Sequence, residues 1–362
     1  MWIFLFIVFL LIAVVWVGGV LMRSGENLSV YDGPVEPAGM ESLGRSEGPS
    51  SGHQAAEASI AALAPQIGGL SSKERLSFIR NFMEELPAGR QIDAEFKPVV
   101  VDGVPCQWVL APGVDQARRV LYLHGGAFIA GSPNSHRVAT SRFSAVANAA
   151  VLAVDYRLMP ENLRMEGIED CRSAYRWILE NGPDGQGPSS RVFMGGDSAG
   201  GNLSLMMAAW IRDEGLRAPD AVVAMSPLTD STYSSPTILE NLETDTMLGP
   251  LFGALTRVPR PLLSWLFLFE NRTIPTNPLV SPLQGDLSGL PPILVQASAS
   301  EMLYGDAVRY VNKARAAGSP VKLQSWSGLL HVWQLFYPEA PEAAEAWEKI
   351  KEFIARAEAK GS

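Results

Sequence analysis

The chain has 362 residues, 47% of them hydrophobic and 19% charged, the composition of a globular protein long enough to bury a large core. Its formal charge of −9 and the absence of clustered Lys and Arg argue against a nucleic-acid partner, because phosphate binding needs concentrated cations. The two cysteines, Cys106 and Cys171, are too few for a disulfide framework and lack metal-ligand spacing, and no GxxxxGK[ST] or HExxH occurs, so no metal or cofactor is expected.

Residues 1–22, MWIFLFIVFLLIAVVWVGGVLM, carry no charged side chain and are long enough to cross a bilayer as a helix. A signal peptide would want basic residues before a shorter apolar core and small residues at a cleavage site. Nothing basic precedes this run, the first charge is Arg23, and Val17-Gly18-Gly19 is a poor cleavage signal. An uncleaved, single-pass membrane anchor is the preferred reading, with a signal segment as the alternative. Residues 23–55 are rich in Gly, Ser, Pro and Glu without periodicity, which predicts a flexible tether. Residues 56–94 begin with two helical pieces, the first marked by Ile60 and Leu63, the second by an apolar stripe of Leu76, Ile79, Met83 and Leu86.

From about residue 95 the pattern changes to short β-rich runs: FKPVVV, CQWVLA, RVLYLHG, AVLAVDY, RVFMGG, AVVAMSP, PILVQAS and VKLQSWS. Helical stretches at 136–149, 166–181, 199–214, 303–317 and 340–359 follow several of them. This alternation predicts an α/β fold, a mostly parallel eight-stranded sheet with helices on both faces, spanning residues 95–360. Cys171 shares an apolar stripe with Ile168, Tyr175 and Ile178, the pattern of a buried core thiol. Between about 231 and 275 the alternation breaks into a loop and the apolar helix PLLSWLFLFE, an insertion and not another βα unit.

Chemistry concentrates at two glycine-rich loops. Gly196-Asp197-Ser198-Ala199-Gly200 follows the fifth strand and opens a helix; it fits a nucleophile elbow, where only small neighbours let two backbones approach a strained serine. A glycine-rich βα turn with a serine cap would look the same in isolation. His124-Gly125-Gly126-Ala127-Phe128 follows the third strand, the loop that supplies one side of an oxyanion hole when Ser198 is the nucleophile. The architecture then needs an acid and a histidine after the serine. Of the four histidines, His53, His124, His136 and His331, only His331 lies downstream, in the loop after the last strand, and it is the expected general base. For the acid, Glu301 and Asp306 both follow the seventh strand. Glu301 stands at the strand's exit while Asp306 is already inside a helical pattern, so Glu301 is the expected partner of His331.

With these motifs assembled, the chain resembles the hormone-sensitive-lipase-like branch of the α/β-hydrolases, bacterial carboxylesterases in particular, over roughly residues 95–355. YLHGGAFIAGSPNSHR is similar to that family's oxyanion segment, VDYRLMPEN to its DYRLAPE segment and GGDSAGG to its elbow. NPLVSPLQGDLSGLPPILVQ is similar to its approach to the acid, and HVWQLF to its histidine loop. The resemblance implies that Gly126, Ala127 and Ala199 donate oxyanion-hole N–H groups. It also implies a helical cap built from the N-terminal helices and the 231–275 insertion, with Arg157 and Glu161 as scaffold. The chain departs from the family where Ala127 replaces a third glycine, narrowing the space beside the substrate and restricting φ, and where Glu301 replaces the commoner Asp.

The expected activity is hydrolysis of small-molecule carboxylic esters of short-to-medium acyl length by a Ser198–His331–Glu301 triad. Amide or lactone hydrolysis, as in membrane-anchored arylacetamide deacetylases, is the alternative chemistry. A non-catalytic binding module is the alternative class.

Overall fold

A six-residue run such as AAVLAV has no polar side chain for either face of a strand, so it is stable only where helices cover both sides of a sheet. The computed structural model describes residues 1–361 and puts such runs at the centre of a nine-stranded sheet. The strands are β1 (Met40–Leu43), β2 (Glu95–Val101), β3 (Val104–Leu110), β4 (Asp115–Leu123) and β5 (Ala149–Val154), then a separate hairpin of β6 (Asn181–Gly182) and β7 (Gly185–Gln186), then β8 (Arg191–Asp197), β9 (Ala221–Met225), β10 (Ile293–Ser298) and β11 (Val321–Trp326). Their order across the sheet is β1-β11-β10-β9-β8-β4-β5-β3-β2. Only β3 runs against its neighbours. Every residue of β5, β9 and β10 is buried.

The helices in chain order are α1 (Trp2–Leu21), α2 (Ser51–Ala61), α3 (Ala64–Ile67), α4 (Ser72–Glu84), α5 (Arg137–Ala147), α6 (Arg164–Glu180), α7 (Ala199–Asp213), α8 (Thr237–Glu240), α9 (Leu248–Phe252), α10 (Arg260–Asn271), α11 (Tyr304–Ala316) and α12 (Pro341–Gly361). Alternate residues of β4 feed two cores, as strand periodicity requires. Leu121 and Leu123 pack with Ile168, Leu203 and Val311 of α6, α7 and α11. Val120 and Tyr122 pack with Phe143, Trp347 and Ile350 of α5 and α12. Cys106 and Cys171 are buried free thiols in the first core.

Two expectations are corrected. Residues 23–55 do not form a flexible tether, and the sheet has nine strands where eight were expected. The extra strand is β1, which pairs in parallel with β11. Before it, Asn312 donates to the carbonyls of Tyr31 and Gly33, and Arg309 pairs with Asp32 across 277 residues of sequence. Gly/Ser/Pro-rich composition weakens local order, but these pairs with α11 supply it from a distance.

Candidate active site

β8 ends at Asp197 and α7 begins at Ala199, leaving Ser198 as the single corner residue, at φ 50° and ψ −113°. A serine at positive φ costs free energy and persists only where its surroundings force it. The glycines explain how. A Cβ on Gly196 would lie 2.3 Å from the Leu123 carbonyl oxygen, and one on Gly200 only 1.8 Å from the same atom. β4 therefore passes so close to the turn that no side chain fits at either position. The Ser198 N–H donates to the Met225 carbonyl at 2.8 Å, fixing the corner to β9.

His331 comes from the loop after β11 and Glu301 from the turn after β10. His331 Nε2 lies 2.9 Å from Ser198 Oγ, and its Nδ1 lies 2.6 Å from Glu301 Oε2. A carboxylate can only accept, so Nδ1 carries the proton and Nε2 is the acceptor facing the serine hydroxyl. The other oxygen of Glu301 accepts from the Ser298 N–H at 3.0 Å. Glu301 and His331 are buried, while Ser198 is partly exposed. Burial pushes His331 towards the neutral form, but its hydrogen bond to Glu301 and the carboxylate charge outweigh this and raise its pKa above the ordinary 6.5. Burial likewise raises Glu301, an effect that His331 partly offsets. Asp306 lies apart from this chain; its carboxylate accepts the N–H groups of Thr229 and Asp230 beyond β9.

On the other side of Ser198, Gly126, Ala127 and Phe128 all have positive φ, at 116°, 54° and 65°. For Ala127 this is a left-handed conformation costing about 1–2 kcal/mol. Among the described residues no acceptor takes the N–H of Gly126, Ala127 or Ala199, so three donors beside the serine remain unused. Asp197 fixes this loop from below. One of its oxygens accepts from Tyr122 Oη at 2.7 Å and from the Gly125 N–H at 3.1 Å, and the other faces His136 Nε2 at 3.3 Å. His124 stacks on Tyr156 at 4.2 Å, and burial lowers its pKa to about 3, so it is neutral.

Several further residues brace these loops without any motif in the sequence to mark them. His53 of α2 is buried and its Nε2 accepts the Leu330 N–H at 3.1 Å, next to His331. Asp245 accepts from the N–H groups of Leu248 and Met302, both at 2.8 Å, and Asn241 donates to the Glu301 carbonyl at 2.8 Å. The 231–275 insertion is thus tied to the acid's turn. These contacts span 277, 57 and 60 residues of sequence and leave no local signal. Glu161 and Arg157 hold scaffold, as expected. Arg80 of α4 grips Glu161 with two hydrogen bonds, and Arg157 holds Asp170 through its Nε, its Nη2 and its backbone N–H.

Above Ser198 and His331 lies an apolar cavity of about 170 Å³. α2 to α4 contribute Ile60, Leu63, Phe78, Phe82 and Met83, and the insertion contributes Met247, Leu251 and Phe252. No group of His, Cys, Asp and Glu able to hold a metal occurs among the described residues.

Residues 120–335 match the family described as the alpha/beta hydrolase fold. An acetyl-hydrolase of Streptomyces hygroscopicus is 36% identical over 263 residues, covering 73% of this chain and 83% of that one. The carboxylesterase/phospholipase LipF of Mycobacterium tuberculosis is 36% identical over 261 residues, covering 71% of this chain and 68% of its own. Among solved structures, an esterase/lipase from an uncultured bacterium superimposes with a TM-score of 0.73 at 31% identity, over 85% of this chain and 99% of the other. A hormone-sensitive lipase from a metagenome library gives 0.73 at 29% identity, over 86% and 99%.

Proposed function

The chain belongs to the hormone-sensitive-lipase-like family of α/β-hydrolases and is a serine hydrolase of carboxylic esters; on that basis we propose that Ser198 is its nucleophile, His331 its general base and Glu301 the acid that orients His331. The observation that carries this reading is the unbroken hydrogen-bonded chain from Glu301 through His331 to Ser198 Oγ. Ser198 Oγ attacks the ester carbonyl carbon as His331 Nε2 takes its proton. Charge develops on the carbonyl oxygen, where the N–H groups of Gly126, Ala127 and Ala199 receive it. One such donor is commonly worth about 100- to 1000-fold in rate. The tetrahedral adduct collapses, His331 returns the proton to the departing alcohol, and an acyl-serine remains. Water, deprotonated by His331, then attacks the acyl carbon and releases the acid.

The covering layer of α2 to α4 and the 231–275 insertion acts as a cap whose apolar cavity receives the acyl group. Its small volume favours short-to-medium acyl chains. α1 is long and apolar enough to cross a membrane and is almost wholly exposed, unlike a core helix. It serves as a retained anchor.

The test is Ser198→Ala. The variant should fold with an unchanged circular dichroism spectrum, lose esterase activity and resist labelling by a fluorophosphonate. Labelling at the wild-type rate would place the nucleophile elsewhere.

A further inference from the structure

α10 divides its side chains among three environments. Ser264, Phe267 and Asn271 are buried against the body of the protein. Trp265 turns to α1, where its indole N–H donates to the Val15 carbonyl at 2.7 Å. Leu262, Leu266 and Phe269, at i, i+4 and i+7, form an exposed apolar stripe. Glu270, the one acid on this helix, borders the stripe.

The α1–α10 contact is close because of Gly18 and Gly19. A Cβ on Gly18 would stand 2.7 Å from the Trp265 ring, and one on Gly19 would stand 2.2 Å from the Pro261 carbonyl oxygen. The glycine pair that makes a poor cleavage site is therefore what admits α10 to the side of α1.

The contact fixes depth. α1 has 20 residues, about 30 Å of helix, which matches a bilayer's hydrocarbon core with nothing to spare. Val15 lies six residues from the end of α1 at Leu21, about 9 Å along its axis. A helix whose tryptophan bonds Val15 cannot stand in bulk water while α1 spans. At the start of α10, Arg257 and Arg260 are exposed, and the half-buried Arg23 lies close enough to Arg260 to feel its charge. Cations at this level suit lipid phosphates.

We propose that α10 is a second membrane-seated element, lying in the interface of the leaflet that α1 leaves, with Leu262, Leu266 and Phe269 in contact with lipid. Its occupant is the bilayer itself. The proposal rests on the reading of α1 as a retained anchor. Because α9 and α10 belong to one insertion, and α9 lines the cavity over Ser198, the bilayer then lies beside the wall of the substrate cavity.

The experiment uses the full chain reconstituted in phosphatidylcholine vesicles containing a minority of anionic lipid. Single cysteines Phe269→Cys, Phe9→Cys in α1 and Val100→Cys on β2 carry an environment-sensitive dye; the native thiols are buried and stay unlabelled. Activity on a soluble ester verifies folding. Dyes at Phe269→Cys and Phe9→Cys should be quenched by nitroxide lipids and shielded from aqueous iodide, with the reverse at Val100→Cys. If Phe9→Cys is lipid-quenched while Phe269→Cys meets iodide as freely as Val100→Cys, the proposal fails and the anchor stands. If Phe9→Cys also meets iodide freely, the anchor fails and takes the proposal with it.

Discussion

Two buried carboxylates follow β10, and their partners give them opposite expected roles. Glu301 faces His331 Nδ1, whereas Asp306 caps the backbone beyond β9. Glu301→Gln should therefore lower kcat by orders of magnitude, about 10⁴-fold where an analogous acid is neutralised. Asp306→Asn should change kcat little. The carboxylate also raises the pKa of His331. In the wild type kcat/KM should thus fall with acid at a pH above the ordinary histidine value, and the residual activity of Glu301→Gln should persist to lower pH. A ranking in which Asp306→Asn is the slower variant would move the acid by one helical turn. Asp306 has a separate signature. Burial and neighbouring Asp230 push its pKa to about 7, so its buried charge destabilises the fold in full above that pH, and the penalty shrinks as pH falls below it towards the ordinary Asp value. Asp306→Asn should raise the melting temperature more at pH 8.5 than at pH 5.5, as scanning calorimetry would register.

At the scale of elements, legibility in the sequence follows the range of the interactions. The elbow is legible because the residues that answer its steric demand, Gly196 and Gly200, stand together around Ser198 in the chain, although the backbone they clear is that of Leu123 in β4. Likewise, the buried strands announce themselves as apolar runs, and chain order singles out His331 as the one histidine after Ser198. β1 leaves no such signal because its order comes from pairing with β11, and neither does His53, which reaches Leu330 across 277 residues. That last contact ties α2 to the loop carrying His331. His53→Leu removes the acceptor and strands a buried N–H, which should cost about 1–3 kcal/mol in urea unfolding. It should also lower kcat several-fold with little change in KM, since His331 loses its support while the cavity keeps its lining. His53→Gln, which retains an acceptor, should recover part of both. An unaffected kcat beside the expected loss of stability would mean the loop holds His331 without α2.

For the molecule as a whole, the cavity and α1 pose separate questions. Each acyl methylene buried over Ser198 adds about 0.8 kcal/mol, close to fourfold in affinity, until the cavity of about 170 Å³ is full. In a p-nitrophenyl series from acetate to palmitate, kcat/KM should therefore peak at short or medium chains. A maximum at palmitate that appears only with vesicles would make lipid the substrate. α1 should not matter for the short esters. α1 contributes no residue to the cavity, and the segment after it is held independently, through Glu26 on Lys313, Asp32 on Arg309 and β1 on β11. Deleting residues 1–25 removes α1 and leaves all three attachments in place. The truncated protein should keep kcat on p-nitrophenyl acetate within about twofold. It should not behave as an ordinary soluble monomer, however. Removing α1 uncovers Pro261 and Trp265 beside the already exposed Leu262, Leu266 and Phe269, and contiguous apolar patches of that kind drive association. Light scattering should show oligomers that mild detergent disperses, with activity unchanged by the dispersal. A truncation that is folded but inactive would instead show that α1, through α10 and the rest of the insertion, holds the wall of the site in place.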